Sequence, residues 1–575
     1  MSEISPSNWL VVAAIDFGTT YSGYAFSFRD TAKDFHTSQN WCSGTSNLLS
    51  QKTPTCILLN PDETFNSFGY EAQDAYTTLA SNGEHLGYFY FFDFKMELYH
   101  SKNLNRKTML SDISGKQISA VKVFALSIKY LKEHFMTTLK MSLPDASEKD
   151  VKFVLTVPAI WTDAAKLFMR EAAKEAGIAS ERLLLALEPE CASVYCKDIA
   201  PDKLSRGKCL TANGKRTQYV VADIGGGTAD FSVHELEIDG SITELHKASG
   251  EAYGGTCVDK KYVEIIQSIY GVKSFERLKH EEMEDYLEFL RDFEVKKRTV
   301  TKELAKKYNI RIPLSLNDFA KGNKVDLQRR ECLSVKREFE VMRDRIKVNG
   351  HFMLQLFEDS INEISNHLQN LLKDYPDISC IILVGGYSEC SILQEKISLM
   401  CADKNVIIPN ECGLAVVKGA VLYGHNPSIV SCRVLRYTYG TNTDFRFETG
   451  KHDEKRKYID QYGIVRCRGT FDPIISSGTK VLASGKKCTL KSVPLDKFQS
   501  SVISEIYFSE KSDVLYIDEE DCRYLGKVEI PLPYLGFKPT LEEEFTFGMT
   551  ELVYTATIQE TQQTVVKHFN VFDVV

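Results

Sequence analysis

Residues 11–23, VVAAIDFGTTYSG, and residues 219–233, YVVADIGGGTADFSV, decide the fold because the second stretch repeats the plan of the first. In each copy an apolar run predicts a buried strand, an aspartate follows, and a turn rich in glycine and threonine leads into a second strand. The two aspartates are Asp16 and Asp223. One glycine-rich turn is typical of an ordinary hairpin, but two of them indicate matching halves.

The residue types in the two turns favour phosphate binding. Glycine lets backbone N–H groups approach phosphate oxygens, threonine adds hydroxyl donors, and aspartate can orient a hydrated magnesium ion. The chain has no GxxxxGK[ST] run and no GxGxxG turn that opens a helix, which argues against the two commoner phosphate loops. Two such turns facing each other predict a site for a nucleoside triphosphate.

The composition predicts a globular protein of two or three units, because 575 residues are too many for one hydrophobic core. A formal net charge of −8 and short basic runs argue against nucleic-acid binding. No apolar run approaches the roughly 20 residues that span a bilayer, and residues 1–10 lack a signal-peptide pattern. The 15 scattered cysteines favour a reducing compartment. We therefore predict a cytoplasmic location, with the nucleus left open.

Strands and helices alternate over residues 1–425, which predicts a two-lobed α/β domain with a cleft. Residues 121–135 and 163–177 have the spacing of amphipathic helices, and the second helix is expected to end at Gly177. Residues 151–160 between them are expected to form a buried strand.

A charged stretch interrupts the second half of this domain. Residues 262–307 are predicted to be helical and residues 311–327 to be irregular, and residues 335–346 are predicted to form another charged helix. Over residues 426–575 short alternating segments separated by turns predict a smaller all-β, sandwich-like domain. No helical pattern follows the last of these segments, so a helical lid is not expected.

The two turns, read as AIDFGTTYSGYA and DIGGGTADFSV, resemble the phosphate loops of actin, sugar kinases and heat-shock chaperones. Within that superfamily the chain resembles the heat shock 70 kDa protein family, and it is most similar to the divergent heat shock 70 kDa protein 12 branch. The further stretches that carry this resemblance are KFVLTVPAIWTDAAKLFMREAAKEAGI (152–178), LEPECASVYC (187–196), GEAYGGTCVD (250–259), FEVKKRTVT (293–301) and IILVGGYSEC (381–390).

The resemblance implies an actin-like ATPase domain that binds ATP or ADP with Mg²⁺. Asp16 and Asp223 would hold the magnesium ion through water. The catalytic residues implied are Lys95, Glu188, Thr228 and Asp230, with the lysine beside the γ-phosphate and an acid polarising the attacking water. The nucleotide-binding residues implied are Gly18, Thr19, Thr20, Tyr21, Gly225, Gly226, Gly227, Thr228, Gly254, Gly255, Glu294, Lys297, Arg298, Thr301, Gly385, Gly386 and Tyr387.

Each of these roles has a simpler structural alternative. Lys95 follows an aromatic run and could extend to solvent. Glu188 precedes a proline and could merely begin a helix, while Asp16 and Asp223 could form Asx turns. Residues 294–301 place four of the implied residues on one face at helical spacing, and charged faces of this kind are usually solvated.

The chain also departs from the family pattern. Residues 385–389 read Gly-Gly-Tyr-Ser-Glu where the family has GGSTR, so Glu389 replaces the arginine expected over the base. Tyr387 could stack on the base instead. An acidic, leucine-rich interdomain linker is not recognisable, which puts coupling between domains and the action of J-domain cochaperones or exchange factors in doubt.

Two functions from different classes follow from these observations. The first is an ATP-hydrolysing, chaperone-like protein whose nucleotide state controls the binding of polypeptide clients by the β-rich domain. The second is a nucleotide-gated interaction protein that scarcely hydrolyses ATP and recruits a specific partner. A small-molecule kinase is a third candidate, but the β-rich domain offers no evident acceptor pocket. We favour the first because Lys95, Glu188 and both phosphate loops are retained.

Overall fold

The computed structural model describes residues 9–38, 41–43, 46–101, 104–210, 215–321, 339–494, 496–548 and 552–568. The first half of the α/β part is built on a six-stranded sheet. The sheet order is Leu183–Leu187, Val151–Val157, Val11–Phe17, Tyr21–Phe28, His36–Thr37, with Thr53–Pro54 also paired to Tyr21–Phe28. The first two neighbours of Val11–Phe17 differ in direction, since Val151–Val157 is parallel to it and Tyr21–Phe28 antiparallel.

The second half is built on an eight-stranded sheet whose centre repeats this plan. Its order is Leu204–Arg206, Asn405–Pro409, Cys380–Val384, Thr217–Ile224, Ala229–Leu236, Ile242–Glu251, Val430–Val434, Lys480–Leu482. Again the hairpin is antiparallel and the strand on its other side is parallel. These central strands are buried on both faces, which is why they read as continuous apolar runs.

Three helices follow the hairpin in each half and alternate with the two parallel strands. They are Ala120–Ser142, Asp163–Glu175 and Glu188–Lys197 in the first half, and Gly350–Asp374, Ser391–Met400 and Cys412–His425 in the second. The last helices of the two halves pack so closely that a Cβ on Gly419 would collide with the Cys191 carbonyl. The helices predicted over residues 121–135 and 163–177 are confirmed, and Gly177 follows the second one with φ +85°.

Smaller elements extend each half beside the cleft. In the first half they are Trp41–Ser43, Ser46–Ser50, Cys56–Leu59, Phe65–Phe68, Phe89–Phe92, Met109–Ser111, Gln117–Ser119 and the helices Tyr70–Ser81 and Met96–His100. In the second half they are the helices Thr256–Tyr270, Val272–Glu281, Met283–Lys297 and Leu314–Lys321 and the strands Lys307–Arg311, Phe339–Val341 and Arg345–Asn349. Among the residues described, no helix has both the length and the apolar character needed to cross a membrane.

The charged stretch differs from its prediction in three places. The helical region ends at Lys297 rather than at residue 307. Residues 314–321 are helical where an irregular segment was expected, and residues 322–327 lie outside the described ones. The charged helix expected over residues 335–346 is wrong for its described part, where the strands Phe339–Val341 and Arg345–Asn349 are joined by a turn. Ile346 and Val348 are buried and alternate with exposed or half-buried neighbours, a period of two that the surrounding charges obscure.

Two four-stranded antiparallel sheets lie beyond residue 434 and share a cluster of buried residues that includes Ile506, Leu525, Phe545 and Tyr554. Their orders are Thr470–Ile475, Thr438–Thr443, Ser501–Ser509, Cys522–Pro531 and Lys486–Ser492, Leu541–Phe547, Val553–Ile558, Thr564–His568. A short hairpin, Lys457–Ile459 with Val465–Cys467, lies in the chain between Thr438–Thr443 and Thr470–Ile475 of the first sheet.

The predicted boundary at residues 425/426 cuts through a continuous sheet. Val430–Val434 is parallel to Ile242–Glu251, and Lys480–Leu482 pairs with Val430–Val434, so two strands from beyond the boundary extend the sheet of the second half. A separate all-β domain over residues 426–575 and the absence of a lid stay predictions.

Candidate functional site

The two glycine-rich turns lie against each other across the cleft. A Cβ on Gly226 would collide with Thr20 Oγ1, and one on Gly227 would come 2.7 Å from Thr19 Oγ1. Side chains have no room at these two positions, so the close approach of the two halves requires glycine. The structure thus brings together the two turns that the sequence pairs.

A third backbone segment supports the second turn from behind. The N–H groups of Gly255 and Thr256 donate to the carbonyls of Gly225 (3.1 Å) and Gly226 (2.8 Å), and Gly254 N–H donates to Gly227 (3.3 Å). The backbone N–H groups of Gly254 and Gly255 are therefore already hydrogen-bonded to the second turn. The resemblance assigns both residues to nucleotide binding. Their contact with a nucleotide stays a prediction.

Asp16 stands at the end of its strand and is held by two residues distant in sequence. Thr156 donates its hydroxyl to Asp16 Oδ1 at 3.0 Å, and the Lys52 ammonium donates to Asp16 Oδ2 at 2.5 Å. The carboxylate therefore bonds to two distant segments of the chain rather than closing an Asx turn. The sequence reasoning missed both partners, because a lysine and a threonine at these positions carry no local signal.

Lys95 is buried, with only 2 % of its surface exposed, so the alternative in which it extends to solvent is wrong. Its ammonium lies 3.2 Å from Glu188 Oε1 and 5.0 Å from the centre of the Trp161 ring. Glu188 also begins the helix Glu188–Lys197, as the structural alternative expected, and its catalytic role stays a prediction. Burial raises the pKa of Glu188, and the neighbouring Lys95 opposes that change.

Asp230 and Asp223 face this pair from the second half. Both carboxylate oxygens of Asp230 are buried and accept no hydrogen bond within 3.5 Å among the described residues, and the nearby Thr228 side chain and Ile160 backbone only partly oppose the rise in its pKa. Burial, followed by the charge of Glu188, raises the pKa of Asp230 to about 8. The same two causes raise the pKa of Asp223 well above its usual range. Buried carboxylates that repel one another are an environment that a cation stabilises.

The donor set fits a hydrated magnesium ion better than a directly bound one. In the part of the chain that the structure describes, no three His, Cys, Asp or Glu side chains converge closely enough to bind a metal ion directly. The unsatisfied oxygens of Asp230 and the raised pKa of Asp223 are the two observations that fit a cation at this place. Asp16 and Asp223 stay the predicted holders of its water shell.

The remaining residues of the turns are placed by backbone contacts. A Cβ on Gly18 would collide with the Tyr21 carbonyl, and the Gly18 carbonyl accepts the hydroxyl of Thr55 at 2.8 Å. Thr228 is buried and its carbonyl accepts the Gly225 N–H at 2.9 Å. The assigned roles of Gly18, Tyr21, Gly225 and Thr228 in phosphate binding stay predictions.

The predicted adenosine-contacting residues form an ion-pair cluster rather than a solvated face. Lys297 lies 2.7 Å from Asp259 and 2.6 Å from Glu294, and Arg298 lies 2.7 Å from Glu294. The Arg298 guanidinium is 4.7 Å above the Tyr21 ring, so the first turn meets this cluster directly.

The expectation of one helical face over residues 294–301 is wrong at its end. The helix stops at Lys297, Arg298 caps it, and Thr301 lies beyond it, where its N–H donates to the Tyr308 hydroxyl at 3.4 Å. A tight turn from Lys296 to Thr299 ends the helix, since β-branched residues favour extended backbone there.

The glycine pair after strand Cys380–Val384 borders the second turn. Gly385 has φ +89°, and a Cβ on it would lie 2.5 Å from Asp223 Oδ1, so both conformation and space require glycine. A Cβ on Gly386 would meet open space. Tyr387 is 8 % exposed, shares a 2.8 Å hydrogen bond with Ser360 and leaves little ring for a base. Its stacking role stays a prediction.

Comparison with known proteins identifies the family. The family model described as Hsp70 protein matches residues 91–432. The sequence is 33% identical to heat shock 70 kDa protein 12B of Homo sapiens over 97% of this chain and 90% of that protein. It is 32% identical to heat shock 70 kDa protein 12A of Mus musculus over 97% of this chain and 91% of that protein.

A more distant relative is the stromal 70 kDa heat shock-related protein of Spinacia oleracea chloroplasts, 27% identical over 57% of this chain and 49% of that protein. Hsp70 proteins are in general ATPases that bind ATP or ADP with Mg²⁺. The resemblance found in the sequence is confirmed. The chain belongs to the Hsp70 family, with its near full-length similarity to the heat shock 70 kDa protein 12 branch.

Proposed function

We propose that this protein binds and hydrolyses ATP with Mg²⁺ in the cleft and couples its nucleotide state to polypeptide binding by the β-rich C-terminal region. The observation that carries the proposal is the convergence, on two facing glycine turns, of Lys95 with the carboxylates of Asp16, Glu188, Asp223 and Asp230. The scattered cysteines support a cytoplasmic setting for this activity.

Phosphoryl transfer to water needs alignment and charge neutralisation more than covalent chemistry. The ammonium of Lys95, fixed by Glu188 and Trp161, is placed to neutralise charge on the transferred group. Glu188 or Asp230 orients the attacking water. A bound magnesium ion supplies further charge neutralisation, and Asp16 and Asp223 would orient its water shell.

A buried ion pair supports the coupling part of the proposal. Arg433, in strand Val430–Val434, donates to both oxygens of Glu190 at 2.7 and 2.8 Å and to the Gly548 carbonyl at 2.8 Å. Glu190 stands two residues after Glu188 in the same helix. Arg433 therefore connects the start of the helix Glu188–Lys197 to the C-terminal sheets.

Single-turnover ATP hydrolysis, measured with and without an unfolded polypeptide, tests the proposal. Acceleration by the polypeptide is the expected result. Nucleotide binding without turnover would favour the alternative, a nucleotide-gated interaction protein with little hydrolysis. The observation that favours this alternative is the raised pKa of Asp230 in the nucleotide-free protein, since a carboxyl group that is mostly protonated at neutral pH accepts a proton poorly unless a bound cation lowers its pKa again. A chain that binds no nucleotide would refute both.

The coupling is tested separately with Arg433→Met. Because Glu190 would be left buried and unpaired, we expect the free energy of unfolding to fall by about 3–5 kcal/mol. Polypeptide stimulation should disappear while basal hydrolysis persists. The double variant Arg433→Met/Glu190→Gln removes the stranded charge and separates lost coupling from lost folding. Lys451→Met, on an exposed lysine of the C-terminal region, is the matched control. Unchanged stimulation in both arginine variants would refute this route.

A further inference from the structure

We propose that Lys52 is a second phosphate-binding cation of the cleft, and that it makes nucleotide binding less dependent on Mg²⁺ than the surrounding carboxylates alone would require. This inference rests on the proposed function, since it concerns the same site. It assigns to this chain a binding residue that lies outside both glycine turns.

The backbone delivers Lys52 to the first turn. Lys52 precedes the short strand Thr53–Pro54, which pairs with Tyr21 and Ser22 directly after that turn. The lysine side chain is only 19 % exposed, and its ammonium lies 2.5 Å from Asp16 Oδ2.

The absence of a side chain at Gly23 leaves space for the Lys52 side chain. Gly23 is the strand partner of Asp16 in the first hairpin, and a Cβ on Gly23 would lie 2.9 Å from Lys52 Cγ. The Lys52 stem therefore crosses the hairpin over Gly23 to reach Asp16. Three separate features, the paired strand, the glycine and the ion pair, place one ammonium at the phosphate end of the cleft.

The charges around Lys52 explain what it can do there. Asp16, Glu188, Asp223 and Asp230 crowd the cleft, and Lys95 is already paired with Glu188. Lys52 opposes the rise in pKa of both Asp223 and Glu188, so its field extends past Asp16. A lysine ammonium has three donors. Lys52 can therefore keep its bond to Asp16 and donate to a phosphate oxygen held by Thr19 and Thr20.

The test is the dissociation constant of ADP and ATP for the full chain, measured by calorimetric titration in excess Mg²⁺ and again in EDTA. For the unaltered protein we expect EDTA to weaken binding by less than about tenfold. In Lys52→Met we expect affinity in EDTA to fall by a further ten- to a hundredfold, roughly the worth of one charged hydrogen bond, with a smaller loss in Mg²⁺. Lys52→Arg should restore binding in EDTA. Lys122→Met, which removes an exposed ion pair to Glu63 in the same half, is the control.

An equal Mg²⁺ dependence in Lys52→Met and the unaltered protein would overturn the inference and leave Lys52 as a structural partner of Asp16. Should Lys52→Met fail to fold, the unaltered protein decides, because a loss of more than about a hundredfold in EDTA would also overturn it. Binding that depends on Mg²⁺ but ignores Lys52 refutes this inference alone. An unaltered chain that binds neither nucleotide under either condition refutes the proposed function as well.

Discussion

The two halves of the cleft share one backbone plan and carry opposite chemistry. In the first half Asp16 has a partner on each oxygen, Thr156 and Lys52. In the second half the oxygens of Asp230 lack hydrogen-bond partners in the described chain, and burial raises the pKa of Asp223 well above its usual range. The same strand–turn–strand plan therefore carries a hydrogen-bonded carboxylate in the first half, at Asp16. In the second half it carries buried carboxylates whose charged forms are disfavoured, at Asp223 and Asp230.

The difference shows what a duplicated fold fixes and what it leaves free. Strand order and the close approach of the turns fix where an aspartate stands, because they depend on backbone pairing and on glycine at the contact. The partners of that aspartate come from other segments, which are not duplicated. The first half supplies two lysines, Lys52 and Lys95, each paired with an acid of the same half, while Asp223 and Asp230 of the second half have raised pKa values.

Among the changes that test this difference between the halves, we expect the largest effect from the substitution of Lys95. We expect Lys95→Ala to retain ATP binding and to lose roughly 10²-fold in the hydrolysis rate, as other single electrostatic contributors do. Single-turnover kinetics with saturating ATP measure it. Lys132→Ala is the matched control, since Lys132 is also a buried lysine paired with a glutamate but lies outside the cleft. Turnover at the original rate in Lys95→Ala would remove it from the catalytic residues.

The contact between the halves is tested at Gly226. Because a Cβ there would collide with Thr20, we expect Gly226→Ala to abolish the rise in Tm that ATP produces. Gly87→Ala is the control, as its Cβ would meet only Pro61 at an ordinary 3.4 Å. Thermal unfolding with and without ATP reports both. A full ATP shift in Gly226→Ala would reduce the turns to structural hairpins.

The raised pKa values of the acids in the second half predict that the stability of the protein depends on pH. The pKa of Asp230 is raised from 3.8 to about 8, so its protonated form is favoured by folding. Its contribution to stability is complete below about pH 4 and is lost as the pH rises through 8. We expect the free energy of unfolding without nucleotide to fall by on the order of 2–4 kcal/mol between pH 5 and 8, and Asp230→Asn to flatten that slope.

Denaturant titrations at several pH values provide the measurement for this slope. Burial also raises the pKa of Glu244 to about 8 and the pKa values of Asp223 and Glu188, so part of the slope should remain in Asp230→Asn. Asp359→Asn, which changes an exposed carboxylate paired with Lys261, should leave the slope in place. Parallel curves for the unaltered protein and Asp230→Asn would contradict the electrostatic picture.

The sequence predicts the hairpins and turns well because their signal is local. Apolar runs, an aspartate and glycines follow one another within about a dozen residues, and the family resemblance aligns them. The bond between Lys52 and Asp16 joins residues 36 positions apart and depends on the strand Thr53–Pro54, which is too short to leave a pattern. Contacts of this kind are set by tertiary structure alone.

Charge hides other elements from the sequence. Strand Leu541–Phe547 has no evident strand pattern in the sequence, because three consecutive glutamates mask the alternation of its buried residues. Glu543 is itself buried and accepts the Tyr554 hydroxyl at 2.7 Å, a polar contact inside the core. A period of two survives in such a strand only when the buried acid is counted with the apolar residues.

The smallest expected effect concerns the place where the first turn touches the second half. Arg298 lies over the Tyr21 ring at 4.7 Å, and a cation–π contact at such a half-exposed position is worth about 0.5–1 kcal/mol. We expect Tyr21→Ala and Arg298→Ala each to weaken ADP binding by about two- to fivefold, and Tyr21→Phe, which keeps the ring, to bind as the unaltered protein does. Because both changes remove one contact, the double variant should lose less than the product of the single losses. Fully independent losses in calorimetric titrations would mean that the two side chains act on the nucleotide separately, and that the two halves communicate through their backbone turns rather than through this pair.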